Sequence, residues 1–381
     1  MNKKLVAAAL GLAFAAPVFA DDSNVTVYGR VHQAWEHNTT RSTNVPEVGN
    51  TTNIANYSSR LGVRGQEDLG GGLKAIFAYE FGVVTDAVAG QTSATAAGAS
   101  TSPSVSTRHA YVGMKGAFGT LVVGSQDGGN DSQAPLYNQA SNYLLNVNNN
   151  AGQLAVVGGN VAQGTGVVTG FQDAAIKRVQ RVGNAVGYAT NVAGVSITSR
   201  LALTGADAGA GNTGPSVETA SREVSVAADY TLGALTFGAG YSRNDGTNSD
   251  AALKLAGGVK SQSQIGAKYD FGVAQVAGLI GRNTYYGNRD SGTEYAVSGL
   301  IPLAPNYGLQ ALYARADNAS AFNTGNANDF QDTQYQLSAY YDFSKRTRTY
   351  VGYNRIKNEA TTAANVERKD SSLVLGLRHN F

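Results

Sequence analysis

The chain has 381 residues, among them 47 glycines, 20 tyrosines and no cysteine, and its formal net charge at pH 7 is +2. Without cysteine it forms neither a disulfide bond nor a thiolate site, and with so small a net charge any electrostatic function depends on where individual charges lie. Basic residues are dispersed and form no stripe with aromatic residues, which argues against nucleic acid as a partner.

The N-terminal segment has the pattern of a secretory signal peptide. Two lysines precede an apolar run over residues 5–16, and residues 18–20 fit the small-residue rule for cleavage. Since the run is well short of the roughly 20 residues that span a membrane, we expect a signal peptide over residues 1–20 and one mature domain over residues 21–381. Its removal takes two of the 29 basic residues and leaves 27, equal to the 27 acidic ones.

The first mature segment, residues 25–36, alternates apolar with polar side chains, as a β-strand with one apolar face does. The apolar set is Val25, Val27, Val31 and Trp35, and the polar set is Thr26, Arg30, His32 and Glu36. A polar loop to about residue 53 is expected to follow. Residues 57–81 then predict a hairpin, because both arms alternate and the glycines of residues 67–72 permit a tight reversal.

Later segments repeat this pattern. Residues 106–115 and 119–126 are joined by a turn so short that they must form a hairpin, whereas residues 82–104 and 127–177 are long interruptions, the second with a candidate short helix at residues 135–145. Further alternating segments are 181–190, 195–203, 222–230, 235–243, 261–271, 273–282, 293–303, 307–315, 333–343, 348–356 and 371–381. The total is about sixteen strands, with short turns alternating with longer loops.

Two architectures fit such strands: a soluble sandwich, or a barrel whose apolar face contacts lipid. No segment after residue 20 approaches ~18 continuous apolar residues, so a helical membrane protein is excluded. The signal peptide and the regular alternation of turns and loops favour an all-β, sixteen-stranded antiparallel transmembrane β-barrel with an aqueous channel. A charge on the lipid face costs roughly 2–4 kcal/mol at mid-membrane, so charged side chains must line the lumen. The lumen charges predicted in this way are Arg30, Arg60, Arg64, Lys74 and Glu80.

Four stretches carry a resemblance to a known family. They are SRLGVRGQEDLGGGLKAIFAYEFG (59–82), RHAYVGMKGAFGTLVVGSQ (108–126), RVGNAVGY (181–188) and the ending GLRHNF (376–381). They resemble the general-diffusion porins of Gram-negative bacteria, in particular the β-proteobacterial and neisserial type. The resemblance implies a homotrimer in the outer membrane, a long third loop folded into the lumen, and a role for the terminal Phe381 as the signal by which outer-membrane barrels are recognised for insertion.

The resemblance also implies a pore constriction between a basic wall and an acidic loop. It places Arg60, Arg108 and Arg181 on the wall, and Asp127 and Asp131 on the loop that faces them. Strand parity independently supports Arg60 and Arg181, whereas the strand of Arg108 has small or apolar residues on both faces, so that residue depends on the resemblance. One departure is Gly124-Ser125-Gln126, where the family usually has Gly-Arg-Gln, so that one wall charge near the root of the loop is absent.

The predicted function is passive diffusion of small hydrophilic solutes and inorganic ions, with no cofactor and no covalent step. A few arginines that acids only partly offset would bias permeation by about 1 kcal/mol, since unit charges ~10 Å apart in water interact by roughly 0.4 kcal/mol and salt screens them. We therefore expect mild, salt-sensitive anion selectivity. The transverse field of the constriction would orient dipolar solutes and disfavour apolar ones.

The same sequence allows other functions. A surface adhesin or receptor barrel is favoured by the long loops at residues 87–104 and 205–214, although such loops also vary freely in a pore. A barrel enzyme would have to use His32, His37, His109 or His379, and none of these is paired with a nucleophile in the sequence. Calcium would need the loop acids Asp245, Asp250, Asp329 and Asp332, which show no ordered ligand spacing. No metal is predicted.

Overall fold

The computed structural model describes residues 24–42, 50–57, 59–83, 105–126, 157–158, 176–177, 182–204, 221–246, 259–285, 291–320, 329–360 and 367–381. The ordered elements in these ranges are all β-strands. None of the described residues belongs to a helix long and apolar enough to cross a membrane.

The strands follow one another along the chain with short and long connections in alternation. Their bounds are β1 Asn24–Ser42, β2 Asn50–Asn56, β3 Arg60–Gly70, β4 Leu73–Val83, β5 Val105–Gly116, β6 Gly119–Gln126, β7 Val157–Gly158, β8 Ile176–Lys177, β9 Val182–Val192, β10 Val195–Thr204, β11 Ser221–Leu232, β12 Leu235–Gly246, β13 Val259–Asp270, β14 Gln275–Tyr285, β15 Gly292–Ala304, β16 Tyr307–Ser320, β17 Asp329–Asp342, β18 Thr347–Ala360 and β19 Glu367–Asn380.

The long strands form one closed antiparallel sheet. Each pairs with its neighbours in the chain, and β1 closes the sheet against β19 in a register that runs from Arg30↔Asn380 to Ser42↔Arg368. Strands β2 and β3 pair with successive parts of β1 and so share one position in the wall. The two-residue strands β7 and β8 pair with each other outside this sheet. The wall therefore has sixteen strand positions, which confirms the predicted barrel.

The break between β2 and β3 is held by hydrogen bonds to β1. The Tyr57 amide donates to the His32 carbonyl at 2.9 Å, and the His32 amide donates to the Ser59 hydroxyl at 3.0 Å. The predicted loop from residue 37 to about residue 53 is wrong at both ends, because β1 continues to Ser42 and β2 already begins at Asn50. This stretch is too polar to alternate, but its backbone pairs with β1 along its whole length, and backbone pairing does not need an apolar face.

Side chains alternate across the wall as the sequence predicts. On β1, Val31 and Trp35 are 48% and 38% exposed on the outer face, whereas His32 and Glu36 are buried on the inner face at 0% and 8%. The same arrangement, with apolar side chains outside and polar side chains inside, recurs on β19, where the outer Leu375 is 55% exposed and the inner Ser372 is buried. An outer face of exposed apolar side chains around a polar interior fits a barrel surrounded by lipid.

The two ends of the barrel differ. At the short-turn end, glycines with positive φ close the reversals, for example Gly71 (+61°) between β3 and β4 and Gly233 (+58°) between β11 and β12. Aromatic rings meet near this end, with centroids 4.6 Å apart for the pair on residues 269 and 271 and 5.0 Å for the pair on residues 341 and 343. The longer intervals, such as residues 84–104 and 127–156, depart from the opposite or long-connection end.

One described piece of the longest interval lies far from the strands that bound it. β6 and β9 are neighbours in the wall, and the chain between them contains β7 and β8. Cα atoms of β8 come within 8 Å of β15 and β16, which stand about half-way round the wall from β6. β8 therefore lies near the side of the wall opposite β6. The candidate helix at residues 135–145 lies outside the described residues.

Candidate functional site

The inner wall of β3, β4 and β5 carries an ionic cluster centred on Glu80. The Arg108 Nε donates to Glu80 Oε1 at 2.6 Å, while Arg60 Nη1 and His109 Nε2 lie 3.7 Å and 3.9 Å from the same oxygen. The side chains of Arg108 and Glu80 are 4% and 5% exposed. Glu80 thus fixes two of the three predicted wall arginines on the lumen face.

A β-bulge brings Arg108 to this face. Glu80 is opposite His109 and Phe81 is opposite Thr107, so Arg108 is an additional residue without a partner position on β4. A bulge shifts the alternation by one residue and redirects a side chain, and both Arg108 and His109 consequently reach Glu80. The alternation of inward and outward side chains on β5 reverses at the bulge. Strand parity therefore does not predict on which face Arg108 lies.

The cluster continues as a row of arginines across neighbouring strands. Arg60 is directly opposite Arg30, and Arg30 Nε donates to Asn380 Oδ1 at 2.9 Å on β19. Arg378, two residues from Asn380, is opposite Arg348 on β18. We call this set the lumenal arginine row; its members are Arg108, Arg60, Arg30, Arg378 and Arg348.

Two carboxylates form ion pairs with the row in the described part of the chain. Glu80 is one, and Asp342 is the other, receiving Arg348 Nε and Nη2 at 2.6 Å and 2.7 Å. The Arg348 guanidinium also lies over the Tyr340 ring, 4.1 Å from its centroid. Five guanidinium groups against two carboxylates leave an excess of three positive charges. Arg30 is accordingly repelled by Arg60, Arg378 and Arg108.

The lumenal arginine row runs obliquely along the wall, from the short-turn end toward the long-connection end. Arg348 is the second residue of β18, next to the turn at the short-turn end, whereas Arg108 is the fourth residue of β5, next to the long-connection end. Strands of a barrel tilt by roughly 35–45° from its axis, so a row that runs along the hydrogen-bonding direction rises by several ångströms at each strand. The positive charge therefore extends over most of the barrel height on one side of the lumen.

The other charges predicted for the lumen, apart from the constriction residues, lie on the same face but in different surroundings. Arg64 is exposed, with its guanidinium 5.1 Å from the centroid of the Tyr28 ring. Lys74 is opposite Lys115 and Asp68, close to the short-turn end. Arg30 and Glu80 belong to the arginine row and its cluster. The predicted Arg181, Asp127 and Asp131 lie outside the described residues.

Arg348 and Arg378 are members of the row that the sequence pattern does not mark as site residues. Arg378 was detectable as the charged member of the polar face of the last strand, but its neighbours on β18 and β1 depend on cross-strand register. That register is set by turns and barrel closure, neither of which is local to the sequence around Arg378. The opposed inner wall is uncharged at several positions, where Ser242, Gln262 and Gln264 are buried.

The other chemistry-bearing groups are engaged in structural contacts. His32 hydrogen-bonds the Tyr350 hydroxyl at 2.8 Å, His37 the Thr52 hydroxyl at 2.7 Å, and His379 the Thr347 hydroxyl at 2.9 Å. Glu36 pairs with the Tyr57 hydroxyl. Across the described part of the chain, no group of three or more His, Asp or Glu side chains could hold a metal ion.

The C-terminal residue is built into the closure of the barrel. Gly29 and Phe381 exchange backbone hydrogen bonds of 3.0 Å and 3.1 Å. The Phe381 ring lies against Gly29 on the outer face, where a Cβ on Gly29 would meet that ring and the Arg60 carbonyl oxygen, the latter at 2.7 Å. Glycine at residue 29 is therefore required by the position of the terminal ring.

We predict that Gly29→Leu weakens barrel closure. The added side chain must displace the Phe381 ring, and such overpacking costs about 1–3 kcal/mol. The guanidinium chloride concentration at which half of the protein is unfolded should therefore fall, as judged by loss of the folded, heat-modifiable band in electrophoresis. The matched control is Gly299→Leu, also on the outer face, where the nearest atom to an added Cβ is 3.9 Å away. An equal fall in both variants would contradict the role of the Gly29–Phe381 contact.

Comparison with known proteins gives a consistent result. A family model described as Gram-negative porin matches residues 6–361. The chain is 34% identical over 131 residues to the major outer membrane protein P.IB of Neisseria gonorrhoeae, and 37% identical over 129 residues to that of Neisseria meningitidis serogroup B. These matches cover 33% and 32% of this chain, and they span about a third of the relatives, 32% and 33% of their lengths.

Solved structures show the same architecture. The anion-selective porin from Comamonas acidovorans aligns with a TM-score of 0.63 at 21% identity, covering 94% of this chain and 100% of that one. OmpF of Salmonella typhi, solved with daunomycin, aligns with a TM-score of 0.62 at 15% identity, covering 96% and 99%. At these identities the likeness concerns the fold.

Proposed function

The chain belongs to the Gram-negative porin family and resides in the outer membrane, and from this premise we propose that it forms a water-filled channel with mild anion selectivity, through which small hydrophilic solutes and inorganic ions diffuse passively. The observation that carries the selectivity is the lumenal arginine row. The proposal involves no cofactor and no catalytic step.

The size of the effect follows from the charge excess. The lumenal arginine row exceeds its ion-pair partners Glu80 and Asp342 by three positive charges. Each interacts with a passing ion at ~10 Å by roughly 0.4 kcal/mol in water, reduced by salt because the Debye length is about 10 Å at 0.1 M. Together they favour anions by about 1 kcal/mol, which is a severalfold preference that weakens as salt rises. The Comamonas acidovorans porin, which is anion-selective, has the same sign of preference.

The channel would be narrowest where the β6–β9 connection crosses it. The approach of β8 to β15 and β16 supports an inward course of this third loop. We propose that Asp127 and Asp131 on the loop face Arg60, Arg108 and Arg181, so that the constriction has a basic wall and an acidic side. Dipolar solutes would be oriented in the resulting field, and apolar solutes that must shed water would be disfavoured.

The outer face of β4 supports a proposal on assembly. Its outward side chains Tyr79, Phe81 and Val83 remain apolar to the long-connection end. An apolar outer surface of that height suits contact with another subunit as well as lipid, and we propose a homotrimer. We also propose that residues 1–20 are a signal peptide removed during export to the outer membrane.

The first test is planar-bilayer recording of the purified, folded protein under a KCl gradient. We expect conductance steps that close in groups of three and a small reversal potential of the sign for anion preference, larger at 0.1 M than at 1 M KCl. Folded protein that gives no steps would overturn the channel. Steps with cation preference would retain the channel and overturn the role assigned to the arginine row.

A further inference from the structure

A further buried arginine lies on the inner wall, away from the lumenal arginine row. Arg200 of β10 is three strand positions along the wall from Arg108 of β5. β10 carries Leu203 on its outer face, where that side chain is 50% exposed, and Arg200 on its buried inner face. The guanidinium donates from Nη2 to Glu223 Oε1 at 2.6 Å, on the neighbouring strand β11. Arg200 is therefore a lumenal cation with a carboxylate of its own.

The described residues leave most donors of this guanidinium unused. Nε and Nη1 of Arg200 are buried, and no described residue accepts a hydrogen bond from them. Ser225, directly opposite Arg200 on β11, is 2% exposed, and its hydroxyl is likewise buried without a partner. A buried donor without a partner is destabilising, and more so when it is charged. Unused donors on two adjacent strands point to a ligand that carries hydrogen-bond acceptors.

The neighbours of Arg200 are small. Gly187 is directly opposite it on β9, and Ser225 is opposite it on the other side. Ala202, two residues further along β10, is opposite Ala185, and both are buried. The register positions on both sides of the guanidinium thus carry nothing larger than a hydroxymethyl group, which leaves space for a ligand of a few atoms.

The charges at this place are balanced, in contrast to those of the lumenal arginine row. Arg200 and Glu223 carry one charge of each sign, 2.6 Å apart, whereas five arginines of the row form ion pairs with two carboxylates. Glu223 uses Oε1 for Arg200, and its second carboxylate oxygen bonds to no described residue. The side chain of Glu223 is 14% exposed and that of Arg200 only 3%. A solute with both a negative and a positive group fits this arrangement, with its negative group at the deeper end.

We propose that Arg200, Ser225 and Glu223 form a binding site for small zwitterions, the chemical class of the α-amino acids. The carboxylate of the solute accepts hydrogen bonds from Arg200 and from the Ser225 hydroxyl, and its ammonium group donates to Glu223. In an α-amino acid both groups are bonded to one carbon atom, which suits the direct contact between Arg200 and Glu223. A simple anion gains less here than at the lumenal arginine row, because Glu223 repels it.

The inference rests on the proposed channel, because the solute reaches the site through the lumen. Binding itself is measured without conductance, by saturation-transfer NMR of small molecules added to the folded protein in detergent. Three probes share one carbon skeleton: alanine carries both charges, propionate lacks the ammonium group and ethylamine lacks the carboxylate. Alanine should bind saturably. In Arg200→Gln its affinity should fall about tenfold or more, as expected for lost hydrogen bonds to a charged group, whereas propionate, which the lumenal arginine row also attracts, should change little.

Two further variants separate the roles within the site. Ser225→Ala keeps both charges and should weaken alanine about fivefold through the loss of one hydrogen bond. Its matched control is Ser338→Ala on β17, seven strand positions away, where another inner-face serine is 4% exposed and its hydroxyl has no described partner. That control should bind alanine as the unaltered protein does. Glu223→Gln should weaken alanine about tenfold without weakening propionate.

Folding of each variant is checked by heat-modifiable mobility. The proposal is overturned if the unaltered protein gives no saturable alanine signal, or if Arg200→Gln and Ser225→Ala bind alanine unchanged. An equal loss of propionate and alanine in Arg200→Gln, or an unchanged alanine affinity in Glu223→Gln, would also overturn it, because the site would then recognise the carboxylate alone. Bilayer steps without these binding results leave the channel standing, so the two proposals fail separately.

Discussion

Replacing Arg30, Arg60 and Arg378 together by glutamine should abolish most of the anion preference of the channel. The substitutions reduce five arginines in the row to two, which equals the two carboxylates that contact it. At 0.1 M KCl, where the Debye length is about 10 Å, the ratio of anion to cation permeability should fall from severalfold to about one. The measurement is the reversal potential under a KCl gradient.

The control is the same type of substitution, arginine to glutamine, on the outer face of the barrel. Arg355→Gln removes a guanidinium from the outer face of β18, where it is exposed away from the lumen, and its reversal potential should match that of the unaltered protein. At 1 M KCl, where the Debye length is about 3 Å, the triple variant and the unaltered protein should converge. A triple variant with undiminished anion preference at low salt would show that selectivity arises elsewhere in the channel.

Glu80→Gln should destabilise the barrel and at the same time make it more anion-selective. The Arg108 guanidinium is 4% exposed and loses its carboxylate at 2.6 Å, and breaking a buried ion pair costs about 3–5 kcal/mol. We expect about 3 kcal/mol, because the lumen side admits water. The charge excess rises from three to four, so the reversal potential should move further toward anions.

Asp342→Asn provides the comparison for this prediction. It also raises the charge excess by one, but Arg348 and Asp342 are 23% and 27% exposed, and an ion pair exposed to this degree contributes only about 0.5–1 kcal/mol. The denaturant midpoint should therefore fall much less, with a similar shift in selectivity. Adding Arg108→Gln to Glu80→Gln should recover most of the lost stability, since the buried guanidinium that lost its partner is then removed as well. Equal midpoints for Glu80→Gln and Asp342→Asn would contradict the importance of burial.

Strand number and orientation were predictable because they depend on local pattern. A period of two with one apolar face determines which side chains face lipid, and a charged residue such as Arg60 has only the lumen available. The position of Glu80 followed from the same rule. The predicted barrel was therefore correct in its wall, and the error at β2 arose where a polar segment paired by backbone alone.

The composition of the arginine row was not predictable in the same way. Arg108 enters the row through a bulge, and the sequence around it contains no apolar alternation that would reveal the change of phase. Arg30 meets Arg60 through the register of β1 with β3, and Arg378 meets Arg348 through the register of β18 with β19, so each pair joins residues far apart in the chain. Pairs of this kind depend on barrel shear, a property of the whole sheet.

The pairing of β1 with β19 has a consequence for the order of events during biogenesis. Contacts between the two ends of a chain are the slowest to form, because the entropy of closing so long a loop must be paid before they are gained. Until then both terminal strands are open edges that can pair with other chains. Arg30 and Arg378 stand on opposite sides of this seam, so the electrostatic character of the lumen is completed by the same step that ends the risk of aggregation.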